Sequence, residues 1–372
     1  MTDMRLRALA LGLSVVVAAT PVAQACTSLR LMTANGYPIY GRTMEFASAT
    51  IPWQLAVYPR GTRFAGIGPN GRKGLTWTGK FGFVGALTGG VSEGAVSDGM
   101  NERGLVVGLL IFNGSDYQVP KTDAEFGKTV AYWQLANYLL SNFATTAEVR
   151  KALTDDVIVA DVALPASTGL PRVPVHYVVH DADGNALVVE YIDRQLRAVD
   201  NPLGVLTNDP SFAWQMENLT FYTDLPLDQR PPVTRGAGAK QVAQGLDVTK
   251  QDMSGAVTSP NRFVKAAVWS LQSLPPKDAD QGVTRVATLM NNFDIPEGTK
   301  LYRGSLGTFP ESTAWTAIGD MKNRRYFFRT EFNPNWRMVD LNRVDFGKGQ
   351  VRTIVLPPLP LGSDISDLFL AR

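Results

Sequence analysis

The residue pattern predicts an α+β fold, and three observations carry that reading. Residues 27–112 read as successive strands separated by glycine turns. Helical periodicity is confined to two later regions, 130–153 and 259–292. Strand-like runs return after each of them, across 157–208 and 313–346. Strands and helices segregated in this order favour layered packing over a regular β–α alternation.

Each element has a local reason. Residues 27–33 alternate polar and apolar side chains, Asn35-Gly36 is a hairpin turn signal, and Pro38 to Phe46 returns as the partner strand. Val130 to Phe143 reads as an amphipathic helix through Trp133, Leu135, Tyr138 and Leu139. Thr145 and Glu148 have capping-box spacing and open a helix through about Leu153. Val173 to His180 is a valine-rich strand, and Asp181-Ala182-Asp183-Gly184-Asn185 turns it into a return strand, Ala186 to Tyr191. Ser259 and Pro260 fit the N-cap and first position of a helix through Leu274, and a further helix covers Gly282 to Asn292. Strands follow at Ala314 to Ile318, Arg325 to Thr330 and Arg337 to Leu341. The polar stretch 223–258, with Pro226, Pro231 and Pro232, reads as an excursion from one domain and not as a linker between two.

The first 25 residues have the grammar of a secretory signal peptide. Arg5 and Arg7 form a positive start, Leu9 to Ala18 a short apolar run, and Ala23-Gln24-Ala25 the small-x-small cleavage pattern. The run is shorter than the ~20 residues a membrane-spanning helix needs. Removal of residues 1–25 leaves a single domain over 26–372 with 34 basic and 33 acidic side chains. That near-neutral balance, without basic runs, argues against a nucleic-acid partner. The mature chain is expected in the periplasm or medium of a Gram-negative bacterium, with no membrane anchor.

Cleavage after Ala25 would make the only cysteine, Cys26, the first residue. A chain-initial cysteine carries a nucleophilic thiol and a basic α-amine on one residue, which is the chemistry of an N-terminal-nucleophile hydrolase. The competing reading is a lipoprotein, whose acylated cysteine would anchor a non-catalytic binding protein. Ala23 and Gln24 fit that processing signal poorly, and a strand begins at once at Thr27 in place of a polar tether. The hairpin return brings Arg42 and Glu45 back towards Cys26. A guanidinium beside the thiol favours thiolate, and a carboxylate there could orient either the α-ammonium or the thiol proton. A Cys–His scheme would need His176 or His180. They are four residues apart on one strand, about 13 Å, too far to share a metal, and both read as structural or ligand-lining.

Five ordered blocks resemble the choloylglycine hydrolase family, which includes bile salt hydrolases and penicillin V acylases. They are Cys26-Thr27-Ser28 with Gly41-Arg42-Thr43-Met44-Glu45-Phe46; Asp98-Gly99-Met100-Asn101-Glu102-Arg103-Gly104-Leu105; Thr207-Asn208-Asp209-Pro210-Ser211-Phe212-Ala213-Trp214; Asn218-Leu219; and Ser259-Pro260-Asn261-Arg262-Phe263. The resemblance implies a four-layer αββα sandwich. It implies Cys26 as nucleophile, Arg42 beside it, Glu45 at a position often Asp, Asn208 in the oxyanion site and Arg262 as distal support. A second oxyanion residue falls near Leu109 to Asn113, where neither family side chain aligns. The excursion over 223–258 corresponds to a family segment of assembly, so a homotetramer is implied. No metal and no organic cofactor is needed.

The substrate implied is a small N-acyl amide, penicillin V-like or an N-acyl-homoserine lactone, with bile salts as the alternative. Phe46, Trp53, Trp77, Phe81 and Phe83 are candidates to line an apolar acyl pocket, against the alternative of core packing.

Overall fold

A computed structural model describes residues 26–46, 54–87, 95–166, 172–222, 233–235, 239–241, 257–304, 307–347, 349–354, 356, 359–360 and 362. The expected signal peptide over 1–25, Trp53 and most of the expected excursion over 223–258 lie outside the described residues.

Along the chain run β1 (Thr27–Met32), β2 (Pro38–Phe46), β3 (Gln54–Tyr58), β4 (Arg63–Ile67), β5 (Lys73–Thr78), β6 (Phe83–Leu87), β7 (Val96–Asn101) and β8 (Val106–Ile111). Next come α1 (Asp123–Phe126), β9 (Thr129–Ala131), α2 (Leu135–Asn142), α3 (Thr146–Asp155) and β10 (Ile158–Ala160). The middle holds β11 (Val175–His180), β12 (Ala186–Ile192), β13 (Gln195–Asp200), α4 (Phe212–Leu219), β14 (Val233–Arg235) and β15 (Ala239–Gln241). The last part is α5 (Ser259–Gln272), α6 (Ala279–Met290), β16 (Lys300–Gly304), β17 (Gly307–Asp320), β18 (Arg325–Thr330), β19 (Asn333–Asp340) and β20 (Arg352–Ile354).

Two antiparallel sheets form the centre. One has the order β1-β2-β17-β18-β19 with β16 added at β17; the other runs β13-β12-β11-β8-β7-β6-β3-β20. Alternation along β8 shows how both faces of the larger sheet are used. Val106 and Leu110 face the core shared with the smaller sheet, while Val107, Leu109 and Ile111 face the core under α2. The same split separates Val178 from Tyr177 and Val179 on β11. Helices α5 and α6 cover the outer face of the smaller sheet, so the order is helices, sheet, sheet, helices. Close approach is built in at Gly41, where a Cβ would stand 2.4 Å from Val286 of α6.

The N-terminal hairpin pairs Thr27 with Thr43 and Ser28 with Arg42, the return the turn signal predicts. Thr145 caps α3 in a full capping box with Glu148. Among the boundaries that differ from the sequence pattern, three have a local cause. The stretch from Val130 is helical only from Leu135, because Thr129–Ala131 pairs in parallel with Ile158–Ala160 and Tyr132–Gln134 forms a 3₁₀ turn. Strand pairing overrides the helical periodicity there. The N-cap of α5 is Thr258, not Ser259, whose hydroxyl instead accepts from Asn208 N at 2.9 Å and meets Thr207 Oγ1 at 2.9 Å. Helix α6 starts earlier than Gly282, since Asp278 supplies its cap by accepting from Gln281 N.

Candidate active site

The hairpin register decides what surrounds Cys26. Ser28 sits opposite Arg42, so continuing the antiparallel register past Thr27 brings Cys26 beside Met44. Arg42 Nη2 lies 3.9 Å from Cys26 Sγ, and Met44 Sδ lies 3.8 Å from the same sulfur. All three residues are buried. Burial would lower the basicity of Arg42, but the charges of Cys26 and Asp98 outweigh it and push it up. The guanidinium is therefore a permanent cation beside the sulfur.

Arg42 is itself held on several sides. Nη1 donates to Ser97 O at 2.6 Å and stands 3.5 Å from Asp98 Oδ2; Nη2 donates to Leu109 O. Its plane lies over the Trp315 ring, 5.0 Å from the centroid. Asp98 is fully buried and accepts from Tyr40 Oη at 2.6 Å and Tyr326 Oη at 2.7 Å.

A second group holds the backbone of Cys26. Asn208 Oδ1 accepts from Cys26 N at 2.7 Å and from Arg262 Nη2 at 2.8 Å. Arg262 Nη1 also donates to Cys26 O and, at 2.7 Å, to Thr27 Oγ1, while Nε donates to Val257 O. Arginine has donors and no acceptor, so its contact fixes which end of the Asn208 amide is oxygen. Asn208 Nδ2 then points to Ile111 O at 2.8 Å. No second acceptor meets Nδ2 among the described residues, which leaves one N–H for a developing oxyanion.

The expected residues therefore divide. Cys26, Arg42, Asn208 and Arg262 converge within hydrogen-bond or near-contact distances. Glu45 does not join them at the sulfur: successive strand residues face opposite sides, and it turns away from the face of Arg42 and Met44. Its Oε1 accepts from Thr313 Oγ1 at 2.9 Å, and Oε2 has no hydrogen-bond partner among the described residues. Burial raises the Glu45 pKa to about 8, against the opposing charge of Arg262.

The aromatic candidates divide too. Phe46 lines an apolar cleft with Met44, Leu109, Ile111, Trp133 and Val175. Phe83 is stacked on Tyr58 at 4.3 Å, Trp77 on Phe64 at 4.9 Å, and Phe81 lies under Arg103. Those three are occupied in these contacts and do not line this cleft. His176 bridges Glu190 at 3.0 Å and Thr207 O at 2.7 Å, which ties the Asn208 segment to the larger sheet. His180 is fully buried, and burial holds it neutral by lowering its pKa well below the usual value. Neither ring is hydrogen-bonded to Cys26. Asn113, from the region of the unassigned oxyanion residue, donates from N and Nδ2 to Asp209 Oδ2.

Met44, Asp98, Tyr40 and Tyr326 are the participants that sequence reasoning did not single out. Met44 was legible from parity with Arg42 on one strand. The other three were not, since 58 residues separate Tyr40 from Asp98 and 228 separate Asp98 from Tyr326.

Comparison with known proteins places the chain in one family. Residues 26–355 match the model of the linear amide C-N hydrolases, choloylglycine hydrolase family. A bile salt hydrolase/transferase from Clostridium perfringens is 28% identical over 88% of this chain and 96% of its own. A penicillin V acylase from Pectobacterium atrosepticum is also 28% identical, over 91% of this chain and 86% of its own. Among solved structures, a conjugated bile acid hydrolase from C. perfringens superposes with a TM-score of 0.73 over 89% of this chain and 97% of that one, at 23% identity. Penicillin V acylase from Agrobacterium tumefaciens gives 0.65 over 88% and 90%, at 25% identity. The four-layer sandwich is thus that of N-terminal-nucleophile hydrolases, and the chain is an amide-cleaving enzyme that belongs to the choloylglycine hydrolase family.

Proposed function

We propose that processing after Ala25 exposes Cys26 as the nucleophile of an exported hydrolase of N-acyl amides. The observation that carries this is the double hold on Cys26: its nitrogen is 2.7 Å from Asn208 Oδ1 and its sulfur 3.9 Å from Arg42 Nη2. In the 372-residue chain that nitrogen is still bonded to Ala25. Freed, it would be an α-amine with a pKa of about 7.7–8.0, able to take the thiol proton near neutral pH.

The chemistry then closes on this chain's own groups. Thiolate adds to the substrate carbonyl carbon, and its oxygen becomes an anion received by the free Asn208 N–H. Collapse breaks the C–N bond as the α-ammonium gives its proton to the leaving nitrogen. Water, deprotonated by the same amine, attacks the thioester; the acyl group leaves as a carboxylic acid and the thiol is restored. Loss of one oxyanion donor typically costs about 2.7–4 kcal/mol of barrier.

The cleft that opens at Met44 supports an apolar acyl part, since its lining is almost wholly hydrocarbon and aromatic. We place penicillin V-like amides and N-acyl-homoserine lactones first, and an address in the periplasm of a Gram-negative bacterium supports them over gut bile salts. The bile salt reading rests on the C. perfringens relative. Assembly as a homotetramer through the 223–258 excursion is part of the proposal, and sedimentation velocity checks it.

Intact mass of protein exported with its own leader tests the processing: the expected chain starts at unmodified Cys26. A chain starting elsewhere, or lipid on Cys26, overturns it. Turnover of a panel of phenoxyacetyl, long-chain acyl-lactone and bile salt amides ranks the substrates, and activity on bile salts alone reverses our order.

A further inference from the structure

We propose that Asp98, held by Tyr40 and Tyr326, is the positioning residue that aims the Arg42 guanidinium at the Cys26 sulfur. The proposal rests on Cys26 being the reacting nucleophile. Asp98 touches neither Cys26 nor the apolar cleft; it acts through Arg42 alone, 3.5 Å from Nη1.

Four observations make this a built device. Both Asp98 oxygens are taken by tyrosine hydroxyls, Tyr40 at 2.6 Å and Tyr326 at 2.7 Å, so the carboxylate cannot rotate freely. The tyrosines come from different strands of the smaller sheet, β2 and β18, while Asp98 comes from β7 of the larger one. The group therefore pins one sheet to the other at the level of the sulfur. Burial and the charge of Asp98 raise both phenols well above their ordinary value, so they remain donors. Finally, β8 carries Gly108 at the point of closest approach. A Cβ there would lie 2.6 Å from Tyr40 Oη, 3.0 Å from Asp98 Oδ2 and 3.3 Å from Arg42 Cδ. A side chain there would have to displace the Tyr40 hydroxyl and would crowd Asp98 and Arg42.

The groups facing Asp98 are Arg42 and Tyr40 from β2, Tyr326 from β18, and, behind Tyr40, the neutral His180 ring of β11 at 5.2 Å. Removing the carboxylate has two opposed electrostatic consequences. Loss of a negative charge near the thiol would by itself favour thiolate. Loss of the anchor would let Arg42 swing from the sulfur and disfavour it. Positioning and simple screening thus predict opposite signs.

The test uses the processed enzyme, with Asp98→Asn and Tyr326→Phe checked for folding by circular dichroism. The readouts are kcat, KM and the pH dependence of Cys26 alkylation by iodoacetamide. Positioning predicts a fall in kcat of about 10- to 100-fold for Asp98→Asn, the scale of a misplacement near 1 Å, with KM within about twofold. It also predicts that the alkylation midpoint moves to higher pH, and Tyr326→Phe shows both effects in smaller measure. Should Asp98→Asn fail to fold, Tyr326→Phe decides alone by the same signs. Unchanged kcat in a folded variant, or a midpoint moved to lower pH, overturns the proposal. Cys26→Ala is run alongside: if it retains turnover, the nucleophile assignment fails, whereas an inactive Cys26→Ala beside an unaffected Asp98→Asn removes only the role of Asp98.

Discussion

Asn208 Oδ1 lies 2.7 Å from Cys26 N and 2.8 Å from Arg262 Nη2, so the amide that would receive the oxyanion under the proposed mechanism also holds the nitrogen that would move the proton. In that mechanism one amide would serve both ends of the reaction, because Arg262 fixes its orientation from behind. Asn208→Asp keeps the acceptor and loses the Nδ2 donor. The expected outcome is a folded protein whose kcat falls about 10²- to 10³-fold, measured on the best substrate of the panel.

Arg262 spreads its fork over Cys26 O, Thr27 Oγ1, Asn208 Oδ1 and Val257 O while buried beneath α5. Lysine keeps the charge but cannot reproduce three coplanar directions. Arg262→Lys is expected to lose on the order of 2–3 kcal/mol of stability, read as a lowered urea midpoint, together with most of the activity.

Glu45 makes stability depend on pH in an unusual direction. Its folded pKa, about 8, is above the ordinary value of 4.5, so the folded state binds the extra proton between those values. Stability is therefore greatest below pH 4.5 as far as this group is concerned, falls as pH rises towards 8, and is level above it. The full change is on the order of 5 kcal/mol. Urea unfolding from pH 5 to 9 is expected to show that decline in the native protein and a flatter profile in Glu45→Gln.

Met44 borders both the Cys26 sulfur and the apolar cleft. Met44→Ala should widen the cleft where the acyl chain enters, shifting preference towards bulkier acyl groups by roughly 1–3 kcal/mol in relative kcat/KM. Met44→Leu, close in volume, should keep the native preference. A competition assay with short, long and branched acyl amides measures both.

Gly108→Ala tests the space around Arg42 without altering a polar group. Its Cβ would stand 2.6 Å from Tyr40 Oη. An overpacked core typically loses about 1–3 kcal/mol, so the thermal midpoint should drop and kcat with it.

Legibility followed distance along the chain. The Cys26–Arg42 pairing could be read from a hairpin whose turn signal sets the register. Placing Glu45 with them failed because strand parity sends positions 42 and 45 to opposite faces, a point the hairpin argument passed over. Trp77, Phe81 and Phe83 precede the second block in sequence, but Trp77 stacks on Phe64, Phe83 on Tyr58, and Phe81 lies under Arg103. Ser259 looked like a helix cap by residue type, yet the Asn208 segment claims its hydroxyl.

By itself the sequence determined the alternation of strand and helix regions, the hairpin that returns Arg42 to Cys26, and the spaced blocks that carry the family chemistry. These depend on local periodicity, turn chemistry and residue type, all of which are written in neighbouring positions. The tertiary structure alone decided that Asp98 joins Tyr40 and Tyr326 behind Arg42, that Arg262 sets the Asn208 amide, and that Glu45 is buried away from the sulfur. Those relations arise where two sheets and a helix layer meet. Their partners come from distant segments, and only the packed layers exclude water strongly enough to give them their strength.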